Sequence, residues 1–155
     1  MTTPRETVVV LNVGDPAPPF VLPSYPAGQI SLVEYLGKKN VILAFYPKDD
    51  TPGCTREMCS FSADLGQFDS AGTQVLGISL DDMDSHEQFA AKHKLLLPLL
   101  SDREGLVARA YGTVKGDRPS AERVLFIIDK KGIIRHIHQG MPTNAELLDM
   151  VARLS

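Results

Sequence analysis

The chain has 155 residues, of which 43% are hydrophobic and 23% charged, and its formal net charge is −3 at pH 7. These values predict one globular domain over residues 1–155, whose core needs neither disulfides nor metal, and they argue against a basic nucleic-acid surface. The sequence shows neither a secretory signal nor an apolar run long enough to span a membrane. We therefore expect a cytoplasmic protein, where its 2 cysteines are more often redox-active or metal-binding than structural.

The first half of the chain begins with irregular segments and continues with a strand and a helix. Residues 1–6 are expected to form a loose terminus. The proline-rich residues 14–24 are expected to be extended, because proline fixes φ and disfavours helix before it. The apolar run NVILAFYP at 40–47 predicts a strand buried on both faces. Residues 52–71 predict a long helix whose apolar side chains recur at helical spacing.

The second half alternates strands and helices. Strands are predicted at 73–80, 123–129 and 133–139, the last two joined as a hairpin by the turn DKKG. Helices are predicted at 83–94, 103–112 and 143–154. This order predicts an α/β fold with a central mixed β-sheet flanked by helices. A thioredoxin-like arrangement has this order, although the pattern alone also permits other α/β folds.

Cys54 falls in the first turn of the predicted helix 52–71. Thr51 suits the N-cap, Pro52 suits the first helical position, and Gly53 leaves open backbone that a substrate can approach. The first turn has free N–H groups and the positive end of the helix dipole, which favour a thiolate over a thiol. The sequence therefore predicts a reactive cysteine at this position.

Cys54 and Cys59 cannot bond to each other while this helix is intact. Five residues apart in an ideal helix, their Cα atoms are roughly 8.7 Å apart, whereas a disulfide needs about 4.4–6.8 Å. The bond requires the first turns to unwind, which suits a redox cycle better than a permanent crosslink. The alternative without chemistry is that Cys54 is a small core residue and Cys59 is an incidental thiol. It is weakened by the first-turn position, the Thr-Pro-Gly lead-in and the second cysteine nearby.

A metal site is a further alternative for the cysteine pair. Two thiolates would need two more ligands, and His136 and His138 are the obvious candidates in the sequence. The C-x-x-x-x-C spacing is wider than that of a zinc knuckle, and the C-x-x-C motif of thioredoxin-type oxidoreductases is absent. We therefore expect neither a metal nor another cofactor.

The segment YPKDDTPGCTREMC resembles the active-site segment of the peroxiredoxins, whose pattern P-x-x-x-T/S-x-x-C is met by Pro47, Thr51 and Cys54. The C-x-x-x-x-C spacing with Glu57 inside it is similar to that of the bacterioferritin comigratory protein, or PrxQ, subfamily. The segments VGDPAPPFVLP, VLGIS and RVLFIID also resemble the family, so the resemblance covers roughly residues 13 to 154. It implies a thioredoxin-like fold.

The resemblance also implies a role for each residue of the motif. Cys54 would be the peroxidatic cysteine and Cys59 the resolving one. Arg123 would place its guanidinium beside the thiolate. Thr51 would orient the peroxide, and Pro47 would shield the site from water.

The implied activity is that of a thiol peroxidase for hydrogen peroxide and small organic hydroperoxides. The reaction would pass through a sulfenic acid and an intramolecular disulfide that thioredoxin, or a glutaredoxin, reduces. A monomer or weak dimer suffices, because both cysteines belong to one chain. The alternative function is a redox-gated sensor or holdase that binds partners when oxidised.

The neighbours of the motif are expected to have ordinary structural roles. Lys48, Asp49 and Asp50 are predicted to form a surface loop. Arg56 points away from Cys54 around the helix and is expected to be a solvated cation. Glu57 is expected to support the helix start or to pair with a basic neighbour.

Overall fold

A computed structural model describes residues 10–26 and 28–154. The strands of the described residues are β1 (Val21–Tyr25), β2 (Gly28–Ser31), β3 (Asn40–Phe45), β4 (Thr73–Ser79), β5 (Leu99–Ser101), β6 (Val124–Ile128) and β7 (Ile134–Gln139). Their helices are α1 (Pro52–Ala63), α2 (Leu65–Ser70), α3 (Met83–His93), α4 (Leu106–Ala110) and α5 (Asn144–Ala152), with a 3₁₀ helix at Leu32–Tyr35. The loose terminus expected at residues 1–6 lies outside the described residues.

The strands form one mixed sheet in the order β2-β1-β5-β4-β3-β6-β7. Strand β4 runs parallel to both of its neighbours, β3 and β5, whereas β6 pairs antiparallel with both β3 and β7. The predicted hairpin of the last two strands is therefore confirmed, and β3 and β4, which are joined through the helices between them, form a parallel pair. The α/β architecture with a mixed sheet agrees with the sequence-based prediction.

Strand β3 separates the two halves of the core. All six of its residues are buried, as the continuous apolar run predicts. Its alternate side chains point to opposite faces of the sheet. Ile42 and Ala44 pack with α1, α2, α3 and α5, whereas Val41, Leu43 and Phe45 pack with α4 and the 3₁₀ helix. Helices thus cover both faces of the sheet.

The predicted helix 52–71 is in fact two helices that meet at Asp64. The amide of Asn144, the first residue of α5, donates to the Ser60 carbonyl at 3.0 Å and to the Asp64 carboxylate at 2.8 Å. The helical bond from the Asp64 N–H to the same Ser60 carbonyl is stretched to 3.3 Å. A tertiary hydrogen bond thus competes with the helical one, and Gly66 just beyond lowers the helix propensity further.

Several short elements differ from the sequence-based prediction. The proline-rich segment is extended as expected, but part of it forms β1, which pairs with the unpredicted strand β2. Strand β5 has only three residues and was also not predicted. The predicted helix 103–112 is limited to α4, because Gly105 with φ 71° lies before its start. The predicted last helix is confirmed as α5, which begins with a capping box of Thr143 and Glu146.

The described residues contain no helix that combines the length and the apolar character needed to cross a membrane.

Gly77 on β4 sets how closely α1 packs on the sheet. A Cβ at Gly77 would lie 2.9 Å from the Met58 Sδ, 3.1 Å from the Leu99 Cδ2 and 3.3 Å from the Tyr46 Cε1. These distances leave no room for a methyl group. The absence of a side chain on β4 is therefore what allows α1 to lie at its observed depth.

We expect Gly77→Ala to lower the free energy of unfolding by about 1–3 kcal/mol, because the added methyl overpacks the core. Urea unfolding measures this quantity. Gly66→Ala is the matched control, since a Cβ there meets nothing within 4 Å. The control should be neutral or up to about 1 kcal/mol more stable. Equal stability of the two variants would contradict this packing argument.

Candidate active site

The first turn of α1 is open at its N-terminus. Thr51 has the extended conformation of an N-cap residue, with φ −101° and ψ 156°, but its side chain makes no capping hydrogen bond. Its hydroxyl instead donates to the Lys48 carbonyl at 2.8 Å. The Thr51 side chain therefore leaves the first-turn N–H groups free, and the predicted N-cap position is confirmed.

Cys54 lies at the bottom of this turn, with 0% of its surface exposed. It belongs to the same buried cluster as Met58, Phe61 and Phe68, so the predicted apolar face of the helix is confirmed. Its thiol is free. The sulfur is therefore shielded by the core on one side and lies next to the open helix terminus on the other.

The Arg123 guanidinium contacts the sulfur directly: its Nη2 donates to the Cys54 Sγ at 3.3 Å. The two residues are 69 positions apart in sequence, and the sheet brings them together. Phe45 at the end of β3 and Val124 at the start of β6 are partners in the antiparallel register. The residue before β6 and the loop after β3 therefore lie at the same edge of the sheet.

Glu57 holds the other side of the guanidinium. Its Oε1 accepts a hydrogen bond from the Arg123 Nη1 at 2.7 Å, and only 3% of Glu57 is exposed. The expected pairing of Glu57 with a basic neighbour is thus confirmed. Burial alone would lower the pKa of Arg123, but its hydrogen bonds to Cys54 and Glu57 raise it above its usual value. Arg123 therefore carries a permanent positive charge beside the sulfur.

Gly53 is the residue that allows this approach. A Cβ at Gly53 would lie 2.9 Å from the Arg123 Nη2, the same nitrogen that contacts the sulfur. Any side chain would push the guanidinium away from Cys54. Glycine is thus required at this position for a steric reason, in addition to providing the open backbone that the sequence indicates.

Cys59 is on the same helix, half-buried and also a free thiol. Because α1 is continuous from Pro52 to Ala63, the helical spacing that keeps the two sulfurs apart is present in this state. Pro47 is half-buried in the loop after β3. Within the described part of the chain, neither Pro47 nor Cys59 makes a hydrogen bond to Cys54 or Arg123.

The loop before α1 corrects one expectation. Lys48 and Asp50 are exposed as predicted, but Asp49 is buried, with 6% of its surface exposed. Its carboxylate contacts Ser85 and His86 on α3, at 2.8 and 2.7 Å. The prediction failed because the partners lie 36 and 37 residues away, which adjacent aspartates in a loop do not reveal. Arg56 is exposed, as expected.

The structure does not support the cysteine–histidine metal alternative. His136 and His138 lie on β7, where their rings stack with centroids 5.9 Å apart. Among the described residues, the group of potential ligands close enough to share an ion is Asp49, Asp81 and His86, which contains neither cysteine.

Comparisons with known proteins agree with this geometry. Residues 13–137 match the model of the AhpC/TSA family. The chain is 39% identical over 150 residues to the peroxiredoxin bcp of Coxiella burnetii, covering 93% of this chain and 99% of that protein. It is 37% identical over 142 residues to the chloroplastic peroxiredoxin Q of Oryza sativa subsp. japonica, covering 88% of this chain and 64% of that protein.

Solved peroxiredoxin structures share the fold. The peroxidoxin BcpB of Mycobacterium tuberculosis superposes with a TM-score of 0.84 at 29% identity, covering 93% of this chain and 97% of that one. The reduced 2-Cys peroxiredoxin of Plasmodium vivax superposes with a TM-score of 0.82 at 27% identity, covering 94% of this chain and 81% of that one. The predicted thioredoxin-like arrangement is thereby confirmed.

The buried Glu57 makes stability depend on pH. Burial raises its pKa to about 7 from an ordinary 4.5, against the opposing effect of Arg123. A raised pKa means that folding favours the protonated carboxyl. This contribution is complete below about pH 4.5 and is lost as pH rises through about 7, a change of at most about 3 kcal/mol.

We expect Glu57→Gln to remove this part of the pH dependence, because an amide cannot ionise. Urea unfolding at pH 5 and pH 8 measures the difference. Glu87→Gln, which changes an exposed carboxyl on α3, should retain the wild-type pH dependence. A Glu57→Gln variant that loses as much stability as the wild type between the two pH values would contradict the assignment.

Proposed function

We propose that this chain, which belongs to the AhpC/TSA family and is a thiol-dependent peroxidase, reduces hydroperoxides with Cys54 as the peroxidatic and Cys59 as the resolving cysteine. The observation that carries the proposal is the 3.3 Å contact between the Arg123 Nη2 and the Cys54 Sγ. A permanent cation and an open helix terminus meet at one buried sulfur, which is the environment of a nucleophilic thiolate. The substrate is a peroxide, and the electrons come from a thiol reductant.

In the first step the Cys54 thiolate attacks one peroxide oxygen, and the O–O bond breaks. The sulfur becomes a sulfenic acid, and the departing oxygen takes up a proton to leave as water or an alcohol. Arg123 and the first-turn N–H groups stabilise the negative charge as it moves from sulfur to the departing oxygen. The Thr51 hydroxyl donates its hydrogen bond to the Lys48 carbonyl, so its oxygen is left to accept a hydrogen bond from the peroxide.

Pro47 and Gly53 complete the proposed substrate site. Pro47 has no N–H to bind water and shields the sulfur from it. Gly53 exposes the backbone of the first turn to the peroxide and leaves room for Arg123. Both residues thus act through the space and hydration around the thiolate.

In the second step the Cys59 thiolate attacks the Cys54 sulfur. A disulfide forms, and the sulfenic hydroxyl takes up a proton and leaves as water. Since α1 is continuous through both cysteines, its first turns must unwind for the sulfurs to meet. The hydrogen bonds of Asn144 to Ser60 and Asp64 hold the far end of the helix, which confines the unwinding to the segment before it.

The remaining assignments follow the same logic. An external dithiol of the thioredoxin type, or a glutaredoxin, reduces the disulfide by thiol exchange and restores two thiols. Hydrogen peroxide and small organic hydroperoxides fit a sulfur that is reached only at the helix terminus. Because both cysteines are in one chain, the protein works as a single-domain monomer or weak dimer. Its compartment is a reducing cytoplasm, and neither cysteine needs a metal.

We expect Cys54→Ser to abolish peroxide consumption, and Cys59→Ser to allow one rapid oxidation without the intramolecular disulfide. Stopped-flow peroxide titration with intact-mass detection of each product measures both. The wild type should consume many equivalents of peroxide with thioredoxin present. Consumption of about one equivalent would instead favour the redox-gated sensor or holdase, and full turnover by Cys54→Ser would remove the mechanism.

The role of Arg123 can be separated from its pairing with Glu57. We expect Arg123→Ala combined with Glu57→Gln to slow Cys54 oxidation by about 10²-fold, because the donor to the thiolate and the departing oxygen is lost. The second substitution avoids a buried unpaired carboxylate. Glu57→Gln alone is the control and should lose much less. Equal rate constants for the double variant and this control would refute the role of Arg123.

A further inference from the structure

The loop between β3 and α1 is anchored through a buried carboxylate that the proposed mechanism does not use. The Asp49 Oδ1 accepts a hydrogen bond from the Tyr46 hydroxyl at 2.6 Å, and its Oδ2 accepts one from the Ser85 hydroxyl at 2.8 Å. The same Oδ2 lies 2.7 Å from the His86 Nδ1. Asp49 is two residues before Thr51, so this anchor lies next to the start of α1.

His86 is 0% exposed, and both of its ring nitrogens face hydrogen-bond acceptors. Its Nδ1 faces Asp49, and its Nε2 lies 2.8 Å from the Leu100 carbonyl of β5. A neutral imidazole has a single N–H and cannot donate to both. Beside an ionised Asp49, only the protonated ring satisfies both contacts. Burial alone would lower its pKa, but Asp49, the Leu100 carbonyl and Asp81 raise it above the usual value.

A second carboxylate extends the anchor to β4. The Asp81 Oδ2 accepts a hydrogen bond from the Asp49 N–H at 2.8 Å and another from the Ser79 hydroxyl at 2.7 Å. Backbone and side chain of Asp49 are therefore both fixed. The titratable groups that face His86 are Asp49 from the loop and Asp81 from the end of β4, with Tyr46 behind Asp49.

The next residue of the loop is also held by α3, at the surface. Asp50 has a left-handed φ of 58° and pairs with Lys92 at 2.8 Å and with His93 at 2.9 Å. These exposed pairs contribute little energy, since solvent screens them. Helix α3 thus contacts two successive residues immediately before the first turn that carries Cys54, and the buried contact is the stronger restraint.

A buried ion pair is a poor means of gaining stability, because the desolvation cost offsets most of the attraction. It is a good means of fixing one geometry, since each donor here has one matching acceptor. Building on the proposed function, we propose that Asp49 and His86 are positioning residues, whose buried pair holds Thr51 and the first turn of α1 in the geometry for peroxide attack and opposes their unwinding.

This role has opposite consequences for the two chemical steps. Oxidation of Cys54 needs the intact turn, with Thr51 and Arg123 in place. Disulfide formation needs the same turn to open. Loosening the pair therefore slows the first step and accelerates the second, whereas a loss of stability elsewhere in the fold that leaves the turn closed does not change them in opposite directions.

Paired substitutions of His86 test this. His86→Gln keeps a donor near the Leu100 carbonyl but removes the contact with Asp49, whereas His86→Asn keeps a neutral donor toward Asp49. We expect His86→Gln to slow Cys54 oxidation about 10-fold and to accelerate disulfide formation several-fold, with His86→Asn closer to the wild type. Single-turnover stopped flow and rapid-quench intact mass measure the two rate constants, and urea unfolding measures stability.

His136→Gln on the edge strand β7 is the matched control and should leave both rate constants unchanged. Unchanged rate constants in His86→Gln, or a parallel decrease of both, would overturn the proposal. If the wild type forms no Cys54–Cys59 disulfide, the proposed function fails instead. The oxidation rate and the amide exchange of residues 51–59 in the reduced protein then decide the positioning role: faster exchange with slower oxidation supports it, and wild-type values overturn it.

Two further readouts keep the test independent of folding. Ser85→Ala removes one hydrogen bond to Asp49 and should shift both rate constants in the same opposing directions by a smaller factor. In a Glu57→Gln background, which removes the titration of the carboxyl in the same segment, the protection of amides 51–59 should be complete below pH 6.5 and fall as the pH rises through the raised pKa of His86. Adding His86→Asn to this background should abolish the fall, and its persistence would count against His86 as the titrating group.

Discussion

The guanidinium of Arg123, held between a sulfur and a carboxylate, is the interaction on which the rest of the site depends. Two of its three nitrogens reach Cys54 at 3.3 Å and Glu57 at 2.7 Å, so a single side chain joins the start of β6 to two successive turns of α1. A charge placed there without partners would be costly. Its partners are therefore required for stability as well as for chemistry, and Gly53 is required because the guanidinium lies across it.

The sheet explains how residues distant in sequence form this arrangement. Strand β3 leads into the loop before α1, and its antiparallel partner β6 begins at the same edge. Residues at the end of β4 and in α3 hold that loop from the other side. Arg123 thus comes from the end of a strand, where the backbone position is fixed by register, while the helix that carries both cysteines is held by side-chain packing and by contacts at its two ends. This division suits the proposed cycle, in which the site is precise in one state and open in the next.

The sequence predicts the segment that carries Cys54 better than it predicts the contacts that hold this segment in place. The Thr-Pro-Gly lead-in and the apolar face of α1 are local patterns, so the helix start and the burial of Cys54 follow from them. The two short strands β2 and β5 and the break at Asp64 depend on contacts made elsewhere in the fold. The same holds for Asp49, whose burial is decided by Ser85 and His86 rather than by its neighbours. Local periodicity carries no information about such distant partners.

The close approach of α1 to Gly77 has a consequence for oxidative damage. Met58 lies between the two cysteines, fully buried, and its sulfur fills the space that a side chain at Gly77 would occupy. In the proposed cycle, packing keeps this thioether from the peroxide that reacts at Cys54, one turn away. Each opening of the helix in that cycle would remove this cover. A sulfoxide formed there is larger and more polar than the thioether, has no room to return against β4, and would leave the helix unable to close.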